Sequence, residues 1–354
     1  MPNDYLIYGA YGYTGELIAR LAVQKGHRPV LAGRDEAKLR PLAEELGLPY
    51  VALDLQEKDR LQVLLTGVSL VLNCAGPFSL TAQPLVEACL QLGRHYLDIT
   101  GEIEVFEWIA DQDEMAKKAG VVLLPGTGFD VVPTDCLAVW LKNQLPDAQS
   151  LELAFYGAAQ TSRGTALTVV EGLSKGGMIR RKGVLTAVPM PYLTKIIEFL
   201  LGQPRTATSI PWGDVSTAWY STGIPDIVVY LALERRQLRA MKLMRYLHWL
   251  LRMKWVQRFL KSLVKKRIPS GPDVKHRTTA RSYLWGEVRN GAGESVTGRL
   301  ETSEGYHLTA TTALLSVEKV LQGGISPGFN TPAKAFGPDF ILLVEGTKRE
   351  KVGQ

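Results

Sequence analysis

The chain has 354 residues, 46% hydrophobic and 21% charged, with 41 Lys+Arg against 35 Asp+Glu and a net charge of +6. That length suggests about two domains on a prior of ~150 residues each, and enough apolar side chains for sizeable cores, which excludes disordered and fibrous classes. Three scattered cysteines, Cys74, Cys89 and Cys136, exclude a disulfide scaffold and fit a reducing compartment.

The first residues, MPNDYLIYGAYG, run straight into a strand pattern at Tyr5–Tyr8. They lack the basic and apolar regions of a secretory signal. No window approaches the ~18 consecutive apolar residues of a spanning helix, so a cytoplasmic protein is expected, with peripheral membrane association left open.

Gly9-Ala10-Tyr11-Gly12-Tyr13-Thr14-Gly15 follows the strand, and ELIARLAVQKG after it spaces Leu17, Ile18, Leu21 and Ala22 as a helix does. Glycines between a strand and a helix allow a tight turn, close approach of backbone N–H groups to a pyrophosphate, and close helix–strand packing. The helix N-terminus then faces the phosphates.

The second strand, Pro29–Ala32, ends in Gly33-Arg34-Asp35. An acidic residue at this place accepts from a free ribose 2′-hydroxyl, and an arginine favours a 2′-phosphate. Arg34 therefore points to NADP over NAD, and the adjoining Asp35 keeps NAD as the alternative. Strand Val51–Leu55 places Asp54 at the adenine side. Helix Lys58–Thr66 follows, then strand Ser69–Ala75, which ends in Gly76-Pro77-Phe78. A small residue and a fixed turn let the chain pass close beneath a nicotinamide ribose. Helix Thr81–Leu92, strand His95–Asp98, helix Glu104–Ala119 and strand Val121–Leu124 complete a strand–helix alternation, the pattern of a doubly wound parallel sheet.

Tyr96, Asp98 and Glu102 fall at the carboxyl end of a strand, where open α/β sheets bind ligands. GTGFDVVPTD (126–135) leads into an apolar helix, Cys136–Leu145. Asp130 and Asp135 can each be a helix cap or a substrate contact. Glu102 and Asp130 are the candidate proton donors. No metal site is expected, since the histidines (27, 95, 248, 276, 307) do not fall at ligand spacing and no Cys-x-x-Cys occurs.

After residue 150 the texture changes. LELAFYG (151–157), VSTAWYST (215–222) and DIVVYLAL (226–233) read as strands. Thr279–Glu287 and Glu294–Glu301 flank Asn290-Gly291-Ala292-Gly293 as a hairpin. Glu304–Gln322 reads as a helix with a glycine stop.

Between these strands, residues 235–267 hold twelve Lys/Arg and no acid, so the other 29 basic and 35 acidic residues leave the body at −6. The cations fall into two helical sets about 100° apart, indicating two helices or a bend near Leu251–Met253. Opposite the second set run Trp255, Val256, Phe259, Leu260, Leu263 and Val264. Such a segment suits an anionic membrane surface. Packing in a substrate domain or a homodimer is the alternative, and no nucleic-acid recognition fold is visible.

The motifs GAYGYTG, LAGRD, NCAGPF, YLDITGE and PGTGFDVVPTD, with Gly164-Thr165 and GGISPGFNTPAKAFG (323–337), resemble the saccharopine-dehydrogenase-like oxidoreductases, including the trans-acting enoyl reductases. The resemblance is dense over residues 1–140 and sparse afterwards. It implies an α/β chain with a Rossmann-like NADP-binding domain (1–140). An α+β antiparallel-sheet substrate domain (141–322) would follow, with the basic insertion 235–267, and then a C-terminal segment (323–354) packing back on the nucleotide domain.

It also implies that Gly9, Gly12, Thr14 and Gly15 hold the pyrophosphate, with Tyr11 in the same loop. Arg34 would read the 2′-phosphate, and Ala75, Gly76 and Pro77 would line the nicotinamide side. The expected activity is NADPH-dependent reduction of a hydrophobic or lipid-linked enoyl, imine or carbonyl substrate. A non-catalytic NADP-binding sensor or scaffold and a soluble saccharopine-type reductase are the alternatives. No arginines that would clamp an amino-dicarboxylate are evident.

Overall fold

The computed structural model describes residues 4–157, 163–172, 176–244, 253–267, 271 and 273–353. The chain forms two compact units, residues 1–132 with 306–337, and residues 133–305 with 338–354. This division differs from the expected one. The long helix after residue 304 joins the first unit from Tyr306 onward, and the chain after Gly337 returns to the second.

The first unit is built on a seven-stranded parallel sheet. Its strands are β1 (Tyr5–Tyr8), β2 (Val30–Gly33), β3 (Tyr50–Ala52), β4 (Leu70–Asn73), β5 (His95–Asp98), β6 (Val122–Leu124) and β15 (Gly328–Phe329). Their order is β15-β6-β5-β4-β1-β2-β3. Crossing from β3 to β4 reverses the direction of build-up, so the carboxyl ends of β1 and β4 form the crevice in which such sheets take ligands.

Helices α1 (Tyr13–Gln24), α2 (Glu36–Leu46), α3 (Lys58–Thr66), α4 (Phe78–Leu92), α5 (Ile103–Ala110) and α6 (Asp113–Ala119) connect the strands. Where one helix, Glu104–Ala119, was expected there are two. The chain turns at Asp111–Gln112, where the Gln112 side-chain Nε2 donates to the Trp108 carbonyl at 3.1 Å. Helix α1 buries Gly15, Ile18, Ala19 and Ala22, one face at helical spacing. Helix α13 (Gly305–Gln322) lays Ala310, Ala313, Leu314, Val317 and Val320 into the same core as Ile7, Ile18, Leu31 and Leu72.

The second unit carries a nine-stranded sheet. Its path is β10 (Thr194–Leu200), β11 (Gln203–Ser209), β12 (Asp226–Ala232), β7 (Ser150–Tyr156), β13 (Arg281–Arg289), β14 (Ser295–Ser303) and β16 (Lys348–Lys351). β8 (Gly177–Arg181) and β9 (Val184–Val188) branch from β12. β7 and β12 pair in parallel, and the other pairs are antiparallel. The hairpin at Asn290–Gly293 joins β13 to β14 as expected. Helix α7 (Val132–Gln144) packs through Leu137 and Leu141 on Gly286, where a Cβ would lie 2.7 Å from Leu141.

Residues 215–222, expected as a strand, form helix α9 (Asp214–Thr222). Its β-branched and aromatic residues read as strand locally. Gly223 at φ 68° closes the helix, and tertiary packing buries Val215 and Ala218, three apart on one face.

Two helices carry the described parts of the basic segment, α10 (Arg235–Met244) and α11 (Lys254–Arg267). Residues 245–252, including Arg245, Arg252 and most of the expected bend, lie outside the described residues. Helix α8 (Arg163–Gly172) packs against α11. The short helices α12 (Val274–Thr279) and α14 (Pro332–Phe336) complete the described helices longer than one turn. No helix among the described residues is long and apolar enough to cross a membrane.

Candidate functional site

Gly9 stands close against the chain just after β4. Its φ is +82°, and a Cβ there would lie 2.8 Å from both the Cβ and the backbone nitrogen of Ala75. Gly15 is as tightly placed, since its Cβ would meet the Gly9 carbonyl oxygen at 2.4 Å. Gly12 donates to that same carbonyl at 3.0 Å and stands as the N-cap of α1 with no side chain to cap it. Three glycines thus fold a cradle at the positive end of the α1 dipole, open to a pyrophosphate. Thr14 lies in the first turn of that helix and is half-buried.

The Tyr11 ring covers Gly33, whose Cβ would sit 2.5 Å from the ring carbon Cε1. Arg34 follows at the carboxyl end of β2 and is exposed. Asp35 is bound by Lys38 at 2.7 Å, and this cation beside it lowers its carboxyl below the usual range. Sequence reasoning named Asp35 as the argument for NAD and missed Lys38, although the i,i+3 spacing at a helix start was legible. The Lys38 ammonium also stands 5.7 Å from the Tyr11 ring centre. Asp54 is exposed beyond β3, where its Oδ1 accepts from the Gln56 amide at 3.0 Å. Tyr8 donates to the Leu53 carbonyl, and burial with the Asp54 charge raises its phenol to about 12.

Just after β4, at the segment expected to line a nicotinamide, the Ala75 amide donates to the Asn73 side chain at 3.0 Å, and Thr81 donates to the Ala75 carbonyl at 2.7 Å. Gly76 is exposed, and Pro77 is the N-cap of α4. A proline ring gives that helix no cap, and Glu102 supplies one from the β5 side. Its two carboxylate oxygens accept from the Phe78 and Ser79 amides at 2.8 and 3.0 Å. The side chain nominated as a proton donor thus has both oxygens occupied by backbone amides of a helix start.

Asp98 is fully buried at the end of β5. Its Oδ1 accepts from the Thr100 and Gly126 amides at 3.0 and 2.9 Å, and its Oδ2 from the Tyr96 hydroxyl at 2.9 Å. Its carbonyl receives the Thr127 amide and hydroxyl, both at 2.8 Å. Burial raises the carboxyl to about 7 despite these donors. Asp98 thereby ties the loop 126–130 to the sheet, a role that sequence spacing alone did not show.

Asp130 ends that loop. The carboxylate lies against Gly101, where a Cβ would be 2.5 Å from Oδ2, and it is half-buried. Burial is the cause of its raised pKa, about 6, and it makes no side-chain hydrogen bond to the described residues. It is therefore no helix cap. Asp135 lies in the first turn of α7 and bonds Ser221. No cluster of three His, Cys, Asp or Glu suited to a metal occurs among the described residues.

Residues 5–124 match the saccharopine dehydrogenase NADP binding domain. A saccharopine dehydrogenase-like oxidoreductase of Mus musculus is 29% identical over 164 residues, covering 41% of this chain and 38% of its own. A trans-acting enoyl reductase of Mycobacterium ulcerans is 31% identical over 140 residues, covering 37% of this chain and 34% of its own. The chain thus spans little more than a third of these curated relatives. Across both units the fold matches an apo saccharopine dehydrogenase (L-Glu forming) of Saccharomyces cerevisiae, with a TM-score of 0.68 at 13% identity, covering 99% and 100% of the two chains. Residues 5–124, which hold the glycine cradle, thus carry a saccharopine dehydrogenase NADP-binding domain, and over that part the chain is similar to the saccharopine dehydrogenase-like oxidoreductases.

Proposed function

We propose that the chain is an NADPH-dependent reductase of a hydrophobic or lipid-linked substrate, an enoyl, imine or carbonyl compound, working near a membrane surface. The observation that carries the chemistry is the unpartnered Asp130 carboxyl beside Gly101, on the same sheet edge as the glycine cradle. NADPH, when bound, supplies the hydride.

The chain's own residues do the rest. Gly9, Gly12, Thr14 and Gly15 receive the pyrophosphate. Arg34 takes the 2′-phosphate, while Lys38 neutralises Asp35 and so removes the repulsion a free carboxylate would exert on it. Ala75 and Gly76 leave room on the nicotinamide side. Asp130, with a pKa of about 6, keeps a protonated fraction near neutral pH and can deliver a proton to the reduced substrate. Asp98 holds the loop that carries it.

The hydrophobic substrate class draws support from the relative named as an enoyl reductase and from the exposed aromatic residues of α11. The test is NADPH oxidation, followed optically, with lipid enoyl thioesters, cyclic imines and long-chain carbonyls. Turnover that falls at least tenfold in Asp130→Asn supports the reading. NADPH binding without turnover on any of the three classes would favour a sensor instead.

A further inference from the structure

The apolar face expected of α11 is divided by the tertiary structure. Val256 turns inward and is 8% exposed, and Leu260 and Val264 are half-buried, on a helix that packs against α8. Trp255 and Phe259 turn outward, each 63% exposed, and Leu263 is 37% exposed. At 100° per residue these three span about 80° of the helix surface, one stripe along its length. Lys266 falls within the stripe and Arg258 beside it, both exposed. Arg235, Arg236 and Arg239 are exposed on α10. No Asp or Glu occurs from residue 235 to 267.

We propose that this outward face of α11 is a docking surface for an anionic lipid bilayer. Trp255, Phe259 and Leu263 enter the headgroup layer, and Arg258 and Lys266 meet lipid phosphates. An indole and a phenyl ring left in water beside cations, with no acid near in sequence, match the amphipathic boundary of a membrane. Charge complementarity selects the occupant. In a symmetric dimer the same patch would face itself, setting Arg258 and Lys266 against their own copies with no carboxylate on the helix to relieve them. A bilayer rich in acidic headgroups offers the opposite charge and an apolar layer together. The surface specifies the membrane-surface part of the proposed function and rests on that reading alone, since vesicle binding is measured apart from turnover.

The experiment is flotation of the full chain with vesicles of phosphatidylglycerol and phosphatidylcholine, and with phosphatidylcholine alone, at low and high salt. Binding to the anionic vesicles that weakens with salt is expected. Trp255→Ser with Phe259→Ser should lower vesicle affinity at least tenfold, as should Arg258→Glu with Lys266→Glu. If the serine variant fails to fold, quenching by brominated lipid, compared between the parent and Trp255→Phe, reports the same contact, because the quenched emission should fall when Trp255 is absent. Absence of binding to anionic vesicles, equal binding by the variants, or a parent dimer that the serine variant dissociates would overturn the proposal. Loss of vesicle binding with unchanged NADPH oxidation in the variants separates this surface from the reductase chemistry.

Discussion

Gly101 and Asp130 are pressed together at the sheet edge, with room for a hydrogen but not a methyl group between Gly101 and the carboxylate, where a Cβ would lie 2.5 Å from Oδ2. Gly101→Ala should push the carboxylate from its place without touching the glycine cradle. We expect kcat to fall about tenfold to a hundredfold, the scale of a catalytic group misplaced by about 1 Å. The NADPH dissociation constant should stay within about twofold. Weaker NADPH binding with intact kcat would place the role of this contact elsewhere.

Asp130 also predicts a pH profile. A proton donor with a pKa of about 6 is progressively lost as pH rises. kcat should therefore decline above about pH 6 by up to tenfold per unit, and Asp130→Asn should remove that limb while lowering the plateau. A parent profile flat from pH 5 to 8 would exclude Asp130 as the donor.

Stability carries the same sign. Asp98 and Asp130 have folded pKa values of about 7 and 6, above the ordinary 3.8. A raised carboxyl binds its proton more tightly in the folded state. Its contribution is full below about pH 4 and is lost as pH climbs through the folded pKa. Unfolding free energy should thus drop between about pH 4 and 7, on the order of 1.4 kcal/mol per pH unit for Asp98 alone. Asp98→Asn should flatten that slope in denaturant titrations. An equal slope in the variant would show that Asp98 does not carry the dependence.

Glu102 separates a cap from a catalyst. Both its oxygens hold amides of α4. Glu102→Ala should cost about 1–2 kcal/mol of stability, the range of a lost helix cap. Glu102→Gln, which retains one acceptor, should lose less and keep kcat within about threefold. A hundredfold loss of kcat in the glutamine variant would restore Glu102 as the proton donor.

Cofactor choice is readable in binding constants. Arg34→Ala should weaken NADPH about tenfold to a hundredfold, the worth of a hydrogen bond to a charged group, and leave NADH nearly unchanged. Lys38→Ala should shift the preference in the same direction by a smaller factor, because Asp35 is then unopposed beside the 2′-phosphate. Equal binding of both nucleotides by the parent would refute the assignment.

The glycine spacing, the small residues after β4 and the strand–helix alternation were legible because they are local. A tight turn, a close approach and a helix start each need particular residue types within a few positions. The −6 body and the basic segment were legible too, since charge is counted along the chain. What α11 does with its apolar residues was not, because tertiary packing decides which of them turn inward.

Residues 215–222 form a helix instead of the expected strand for a similar reason, as packing on one face outweighed local propensity. Lys38 beside Asp35 could have been seen. Glu102 capping α4, Asp98 tying down the loop 126–130 and Gly101 yielding space to Asp130 could not. The sequence determined the nucleotide cradle and the sign of each region's charge. Only the tertiary structure decided which carboxylates are occupied and which stands free, because that depends on hydrogen-bond donors brought together from distant parts of the chain.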